Sequence, residues 1–271
     1  MKLHKKKNLK KFLRRFTPAL SSLIIGLGLT TFFRQLIAYL NYCLGRGAGT
    51  GWALSSEVAI AVSCIDSSEP TVFDVGGNKG DWAQEFRRKI AGGKLYIFEP
   101  QRTCQKEIRS RNIEGSELVC SAVGKEESEL TLYSSNETDG SASLHERGDS
   151  FFDENEYQGQ VVPVLSLDDF AAEKGIDFID YIKFDIEGHE LYALEGLKRL
   201  LSARKVKAFS FEFGSGNLNS RTHFRDFWNL LNKDYTISIM TPSGKLEEVD
   251  SYYEDLEFYR GVSNFVAQLR K

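Results

Sequence analysis

The run TVFDVGGNKGDW, Thr71 to Trp82, followed by KLYIFEP, Lys94 to Pro100, limits this chain to few architectures. An apolar β-rich stretch delivers Asp74, turns through Gly76, Gly77 and Gly80, and enters a helical pattern. A second β-rich stretch then ends at Glu99. Strand, glycine turn, helix, strand is the βαβ unit of an open parallel sheet. Glycines at such a turn let the backbone approach a ligand closely, and the helix N-terminus offers free N–H groups. An acid at the tip of the next strand can accept hydrogen bonds from a ribose diol. The run predicts a nucleotide-type site.

The glycine spacing narrows the ligand. A dinucleotide fingerprint needs GxGxxG, whereas Gly77, Asn78 and Lys79 separate Gly76 from Gly80, and Asp74 stands two residues before Gly76. A carboxylate there repels a pyrophosphate but suits a ligand with a cationic end, such as the amino-acid part of S-adenosylmethionine.

From Glu57 onward, short β-rich runs alternate with helical ones, the pattern of a parallel sheet with crossover helices. Strands are expected at 71–75, 94–98, 117–121, 181–185, 207–213, 236–240 and 264–268. Helices are expected at 81–90, 101–111, 167–174, 190–202 and 221–232, with Ser166 starting the third. Two further strands, 130–133 and 161–165, flank the polar, turn-rich run SSNETDGSASLHERGDS, Ser134 to Ser150. Its length marks either a lid, placed at Asn136 to Gly148, or a plain surface insertion.

Charge divides the chain into a basic extension, 1–56, and a main domain, 57–271. The first 56 residues hold ten of the 35 basic residues and no acid, which leaves 25 basic against 38 acidic residues from Glu57 onward. Nucleic acid is therefore not an expected partner of the main domain. MKLHKKKNLKKFLRR carries eight positive charges and precedes an uncharged stretch, Phe16 to Phe33. This extension reads as a solvated tail leading into a packed helix, as a segment lying on an anionic membrane face, or as a weak spanning segment. Cys43, Cys64, Cys104 and Cys120 show no CxxC pairing and no zinc spacing, so they read as apolar residues of a reducing, cytoplasmic setting, with membrane association left open. Nothing in the sequence bears on oligomeric state.

In open α/β sheets, ligands bind beyond the carboxyl ends of the strands. The residues closing the expected strands are mostly acidic: Asp74 with Gly76, Glu99 with Pro100, Ser121 with Ala122, Asp185 with Glu187, and Glu212. IKFDIEGHE, Ile182 to Glu190, crowds Asp185, Glu187, His189 and Glu190 at the mouth of the sheet. Carboxylates there could hold a sulfonium, act as general base toward a hydroxyl, or bind a hard cation such as Mg2+, which the pattern permits and does not require. His189 could equally face solvent.

DVGGNKG, FEP, SAVG, the SLDD step and KFDIEGHE together resemble the FkbM-type S-adenosylmethionine-dependent methyltransferases, from about Thr71 to Phe213. The resemblance implies a Rossmann-like, seven-stranded class I methyltransferase fold with a parallel centre and an antiparallel final hairpin. It also implies O-methylation of a hydroxyl on a sugar, glycan or natural product. Asp74, Gly76, Gly77, Asn78 and Gly80 would then line the methionine part of the cofactor, Glu99 and Pro100 the ribose, and Ser121 and Ala122 the adenine. Asp185 would lie near the methyl group. Asn78 stands where many methyltransferases carry a middle glycine. Glu212, Asn217, Asn219, Arg221 and His223, in the stretch after the fifth strand, could hydrogen-bond a polyhydroxylated acceptor or simply lie outside a packed helix face. As general base the ranking is Asp185, then Glu187, His189 and His223. Two other functions compete: a nicotinamide oxidoreductase, against which the missing GxGxxG argues, and a non-catalytic binding protein that retains the fold.

Overall fold

The computed structural model describes residues 16–49, 54–135, 140–146 and 158–271. The chain divides into two units, Met1–Leu44 and Gly45–Lys271, so the second begins ahead of the join expected at Glu57. The eight-charge segment lies outside the described residues, as do the two ends of the expected lid. In the first unit, α1 (Phe16–Gly26) and α2 (Thr30–Cys43) meet at a bend of 113°. No single described helix is long and apolar enough to cross a membrane.

The second unit opens with α3 (Leu54–Ser63), β1 (Thr71–Val75), α4 (Asp81–Lys89), β2 (Lys94–Phe98), α5 (Arg102–Arg111) and β3 (Ser116–Val119). It continues through β4 (Ala122–Val123), β5 (Ser128–Ser134), β6 (Gln158–Leu165), α6 (Leu167–Glu173), β7 (Ile179–Phe184), α7 (Glu190–Glu195) and α8 (Lys198–Ser202). It closes with β8 (Val206–Gly214), α9 (Gly216–Ser220), α10 (Phe224–Leu231), β9 (Tyr235–Met240), β10 (Leu246–Glu248) and β11 (Val262–Leu269). The main sheet runs β10-β9-β11-β8-β7-β1-β2-β3. β3, β2, β1, β7 and β8 are mutually parallel, while β11 runs antiparallel to both β8 and β9. This is the expected Rossmann-like class I arrangement, with one edge strand more than the seven foreseen. That strand, β10, was invisible in the sequence because Leu-Glu-Glu at an exposed edge has no apolar alternation to signal it.

Period-two alternation feeds two cores, one on each face of the sheet. Phe73, Tyr96, Ile182, Phe209 and Phe211 face the core closed by α6, α7, α8 and α10, whereas Val72, Leu95, Ile97, Tyr181 and Ala208 face α3, α4 and α5. Phe211 stacks on Phe227 at 4.9 Å and on Phe265 at 5.5 Å, joining β8 to α10 and to β11. β4, β6 and β5 form a separate three-stranded sheet.

Two expected helices change shape. The one at 190–202 breaks between α7 and α8, where the Gly196 carbonyl accepts from Asp168 N at 2.9 Å. The Asp168 carboxylate accepts from Arg199 N at 2.6 Å and Leu200 N at 3.1 Å, capping α8 from another helix. The one at 221–232 starts at Phe224, because Arg221 is left-handed (φ 56°) and His223 with Asp226 forms a capping box. Ser166 does cap α6, accepting from Asp169 N at 3.1 Å.

Phe211 is 1% exposed and Phe178 41% exposed. Phe211→Ala should lower unfolding free energy by about 3–5 kcal/mol in a urea melt, and Phe178→Ala by about 0.5 kcal/mol or less. Equal effects would mean that the stacked rings do not anchor this face.

Candidate active site

The parallel strands deliver their C-terminal residues to one edge, and the glycine turn after β1 shapes it. The N–H groups of Gly76 and Gly77 both donate to the Phe98 carbonyl at 3.0 Å. Gly76 has φ 84°, and a side chain there would run into the Asp185 carbonyl, while one at Gly77 would strike the Ile97 side chain. The turn therefore requires glycine twice. Asn78 (φ 42°) donates its N–H to Glu99 Oε2 at 2.7 Å, and Gln101 donates its own to Oε1 at 2.7 Å. Two backbone donors thus fix the Glu99 carboxylate. Burial pushes its pKa up to about 7, against the pull of those N–H groups.

Gly76, Asn78, Glu99, Pro100, Ser121, Ala122, Asp185 and Glu187 line one cavity that opens to solvent. Most of its other walls are apolar, with Val123, Leu132, Ala142 and Leu144 among them. The last two belong to the described part of the expected lid. Ser143 there exchanges backbone hydrogen bonds with Tyr133 at 2.8 and 3.0 Å, and its hydroxyl donates to the Glu187 carbonyl at 2.8 Å. That stretch is stitched to β5 and to the turn after β7. Ser121 Oγ donates to the carbonyls of Ala122 and Pro163, both at 2.9 Å.

Asp74 is fully buried and lines none of the cavities at this edge. Its carboxylate accepts from Lys183 Nζ at 3.3 Å, and the same ammonium reaches Asp185 Oδ2 at 3.1 Å and donates to the Gly76 carbonyl at 3.2 Å. Burial opposes the Lys183 charge, but Asp185, Asp74 and Glu57 outweigh it and hold its pKa above the ordinary range. Burial holds the Asp74 carboxyl above its ordinary value despite Lys183. The sequence reading missed Lys183 as a site residue. Its signal was a lysine in an apolar strand, two residues before Asp185 and so on the same face.

Glu57 was missed too. It stands on α3 and lines a second and a third cavity with Lys183 and Asp185, and Glu212 lines the second with them. Burial raises Glu57 to about 7, and Asn264 Nδ2 donates to it at 3.2 Å. Glu212 is held well above the usual carboxylate range, by burial first and then by Asp185, Glu187, Glu190 and Glu57. Asp185, Glu187 and Glu212 each offer a carboxylate oxygen, and these lie within 4.8 Å of one another. The set can accept hydrogen bonds from hydroxyls, take up a proton or hold a hard cation.

Other expected site residues stay apart from this edge. Gly80 (φ 83°) starts α4 against Ile108 and Ile113. His189 is 5% exposed, with its ring stacked on Tyr192 at 4.7 Å and Nδ1 2.9 Å from His145 Nε2. Burial, with His145 adding to it, pushes its pKa down to about 3, so the ring is neutral and packed. His223 caps α10 and its Nδ1 meets the Tyr259 hydroxyl at 2.8 Å. Asn217 is 2% exposed, accepts from Gly214 N at 2.8 Å and donates to Thr222 Oγ1 at 2.9 Å, holding the α9 turn. Arg221 is exposed, Asn219 is partly buried, and neither lines a cavity described above.

The first cavity fits an adenosyl group. It pairs apolar walls for a base with a fixed carboxylate for a diol, and its far end opens beside Asp185, where a positive sulfur is favoured. The glycine turn leaves no room for side chains over that end.

The family model described as "Methyltransferase FkbM domain" matches residues 74–237. The 2-O-methyltransferase NoeI of Sinorhizobium fredii is 26% identical over 155 residues, which is 52% of this chain and 63% of NoeI. The chain thus spans less than two thirds of that relative's length. Among solved structures, Methyltransferase FkbM from Methylobacillus flagellatus is 16% identical with TM-score 0.46, over 74% of this chain and 44% of the other. A SAM-dependent O-methyltransferase from Thermotoga maritima is 13% identical with TM-score 0.38, over 79% and 65%.

Lys183→Met leaves Asp74 buried without its counter-charge and should cost about 3–5 kcal/mol in unfolding free energy, with Asp74→Asn/Lys183→Met recovering a large part. Additive losses in that cycle would refute the coupling. Glu190 gives a pH signature. Its Oε1 accepts from Ile186 N at 3.1 Å and Gly188 N at 3.2 Å, and burial raises its pKa from 4.5 to about 8. The folded state holds this proton more tightly than the unfolded chain does. Its stabilising contribution is complete below about pH 4.5 and is lost as pH rises through about 8. Wild type should therefore lose stability relative to Glu190→Gln across that window, and parallel pH profiles would contradict this.

Proposed function

The chain belongs to the FkbM methyltransferase family, and on that footing we propose that it moves a methyl group from S-adenosylmethionine to a hydroxyl oxygen of a sugar, glycan or related natural product. The observation that carries this reading is the carboxylate cluster of Asp185, Glu187 and Glu212, which adjoins the adenosyl-shaped cavity. The name of NoeI, a 2-O-methyltransferase, agrees with an oxygen acceptor.

When bound, S-adenosylmethionine supplies an electrophilic methyl on a sulfonium. The chain's own residues do the rest. Glu99, fixed by Asn78 and Gln101, would accept from the ribose diol, and Val123, Leu132 and Leu144 would flank the base. Asp185, anchored by Lys183, would orient the acceptor hydroxyl. As the oxygen–carbon bond forms, the carbon–sulfur bond would break with S-adenosylhomocysteine leaving, and the hydroxyl proton would pass to an ionised carboxylate beside it. We assign that role to Glu212, with Glu57 next to it on the same cavity. This assignment moves the base from Asp185, ranked first from the sequence, to a residue expected only to bind the acceptor. The acidic cluster also suits a divalent cation, and chelation separates the two routes: unchanged turnover removes the metal.

Glu99→Gln should weaken S-adenosylhomocysteine binding by about tenfold or more, since a hydrogen bond to a charged group contributes about 1.5–3 kcal/mol. Glu212→Gln should leave that affinity intact and lower methyl transfer from labelled donor to glycan fractions by about 100-fold, the contribution of a general base. Full activity in Glu212→Gln would withdraw the base assignment. Absence of any calorimetric signal with S-adenosylhomocysteine would favour a non-catalytic binding protein.

A further inference from the structure

The first unit exposes apolar surface in a way the second does not. No residue from 16 to 44 is buried. Thirteen large hydrophobic residues there are exposed, from Phe16 to Leu44, against six in the whole of the described second unit. A scatter of single exposed leucines needs no explanation, but a contiguous set this dense does.

The exposed residues are ordered. On α2, Phe32, Phe33, Leu36, Leu40 and Cys43 recur at helical spacing on one face, while Thr31, Arg34, Gln35 and Asn41 share the opposite one. Phe32 is 57% exposed and Leu40 52%, so the apolar face is uncovered. On α1, Phe16, Leu20, Leu23 and Ile24 share one face, and the opposite one carries Ser21 and Ser22 but also Ile25, which is 69% exposed. At about 1.5 Å per residue the two helices are roughly 16 Å and 21 Å long, and each falls short of a hydrocarbon core of about 30 Å. Taken together the pair has the length and apolar content of a span, but the bend of 113° breaks it. A short helix with an apolar face and a polar one, as in α2, suits an interface.

Charge identifies the occupant. Eight basic residues precede Phe16, and no acid occurs before Glu57, whereas the rest of the chain is acidic. A second copy would bring the same positive charge against itself, and an apolar protein groove has no need of it. An anionic phospholipid surface satisfies both features. We propose that α1 and α2 lie in the headgroup boundary of an anionic bilayer, with the apolar face of α2 inward and the positive charge of the sequence ahead of them favouring anionic lipid, and that they anchor the chain to one face without spanning. The proposal is independent of the reaction assigned above.

Flotation of the full chain with vesicles tests it. The chain should rise with phosphatidylcholine–phosphatidylglycerol vesicles in equal parts, stay down with phosphatidylcholine alone, and detach in high salt. Phe32→Asp/Leu40→Asp should weaken vesicle binding by about tenfold or more, whereas Gln35→Glu should change it by about twofold at most. Near-UV circular dichroism of the aromatic core should be unchanged in both. Bound protein should be released by alkaline carbonate. Four outcomes would overturn the proposal: no preference for the anionic vesicles, undiminished binding of Phe32→Asp/Leu40→Asp, retention after carbonate, or a lipid-free dimer that this double variant converts to monomer. Retention would indicate a span, and the dimer would identify a second copy as the occupant.

Discussion

The site edge depends on one buried ammonium. Lys183 sits between the carboxylates of Asp74 and Asp185, with the Gly76 carbonyl as a third partner. Without that cation, Asp74 would lie charged in a low-dielectric interior with the half-buried Asp185 nearby, and would have to give up its charge. With it, the tips of β1 and β7 are drawn together, the glycine turn is held from below, and Asp185 is presented to three cavities at once. Three other acids of the edge, Glu57, Glu99 and Glu212, have no such cation in contact among the described residues. Burial consequently holds all three above the usual carboxylate range.

Two kinds of carboxylate result. Asp185 is held by a lysine, whereas Glu212 sits among other acids, and burial with those neighbours holds its carboxyl above the usual range. On the proposed reaction, that difference would separate an orienting acid from a proton acceptor on adjacent strands of one sheet.

Much of this was legible in the chain. β1, the glycine turn and β2 were readable because alternation, turn chemistry and strand ends agree within thirty residues. Glu99 and Asp185 were readable because they close strands. What escaped is nonlocal. Lys183 finds Asp74 across 109 positions, and nothing near either residue announces the other. Glu57 enters the site on a helix that precedes the sheet, at a point where charge composition suggested a boundary. His189, read from the sequence as either a lesser candidate base or a solvent-facing residue, is buried and stacked on Tyr192. The break before α8 depends on a cap donated by Asp168, about thirty positions upstream.

The placement of β11 reaches beyond the site. β11 follows β8 and β9 in the chain yet is threaded between them, where it pairs with both over most of its length. Until that segment is in place, the sheet holds an open slot flanked by one free edge of β8 and one of β9, with Phe211 and its neighbours uncovered. A chain of this kind cannot acquire its architecture progressively in sequence order, and while the slot stays open those edges and rings are exposed to wrong partners.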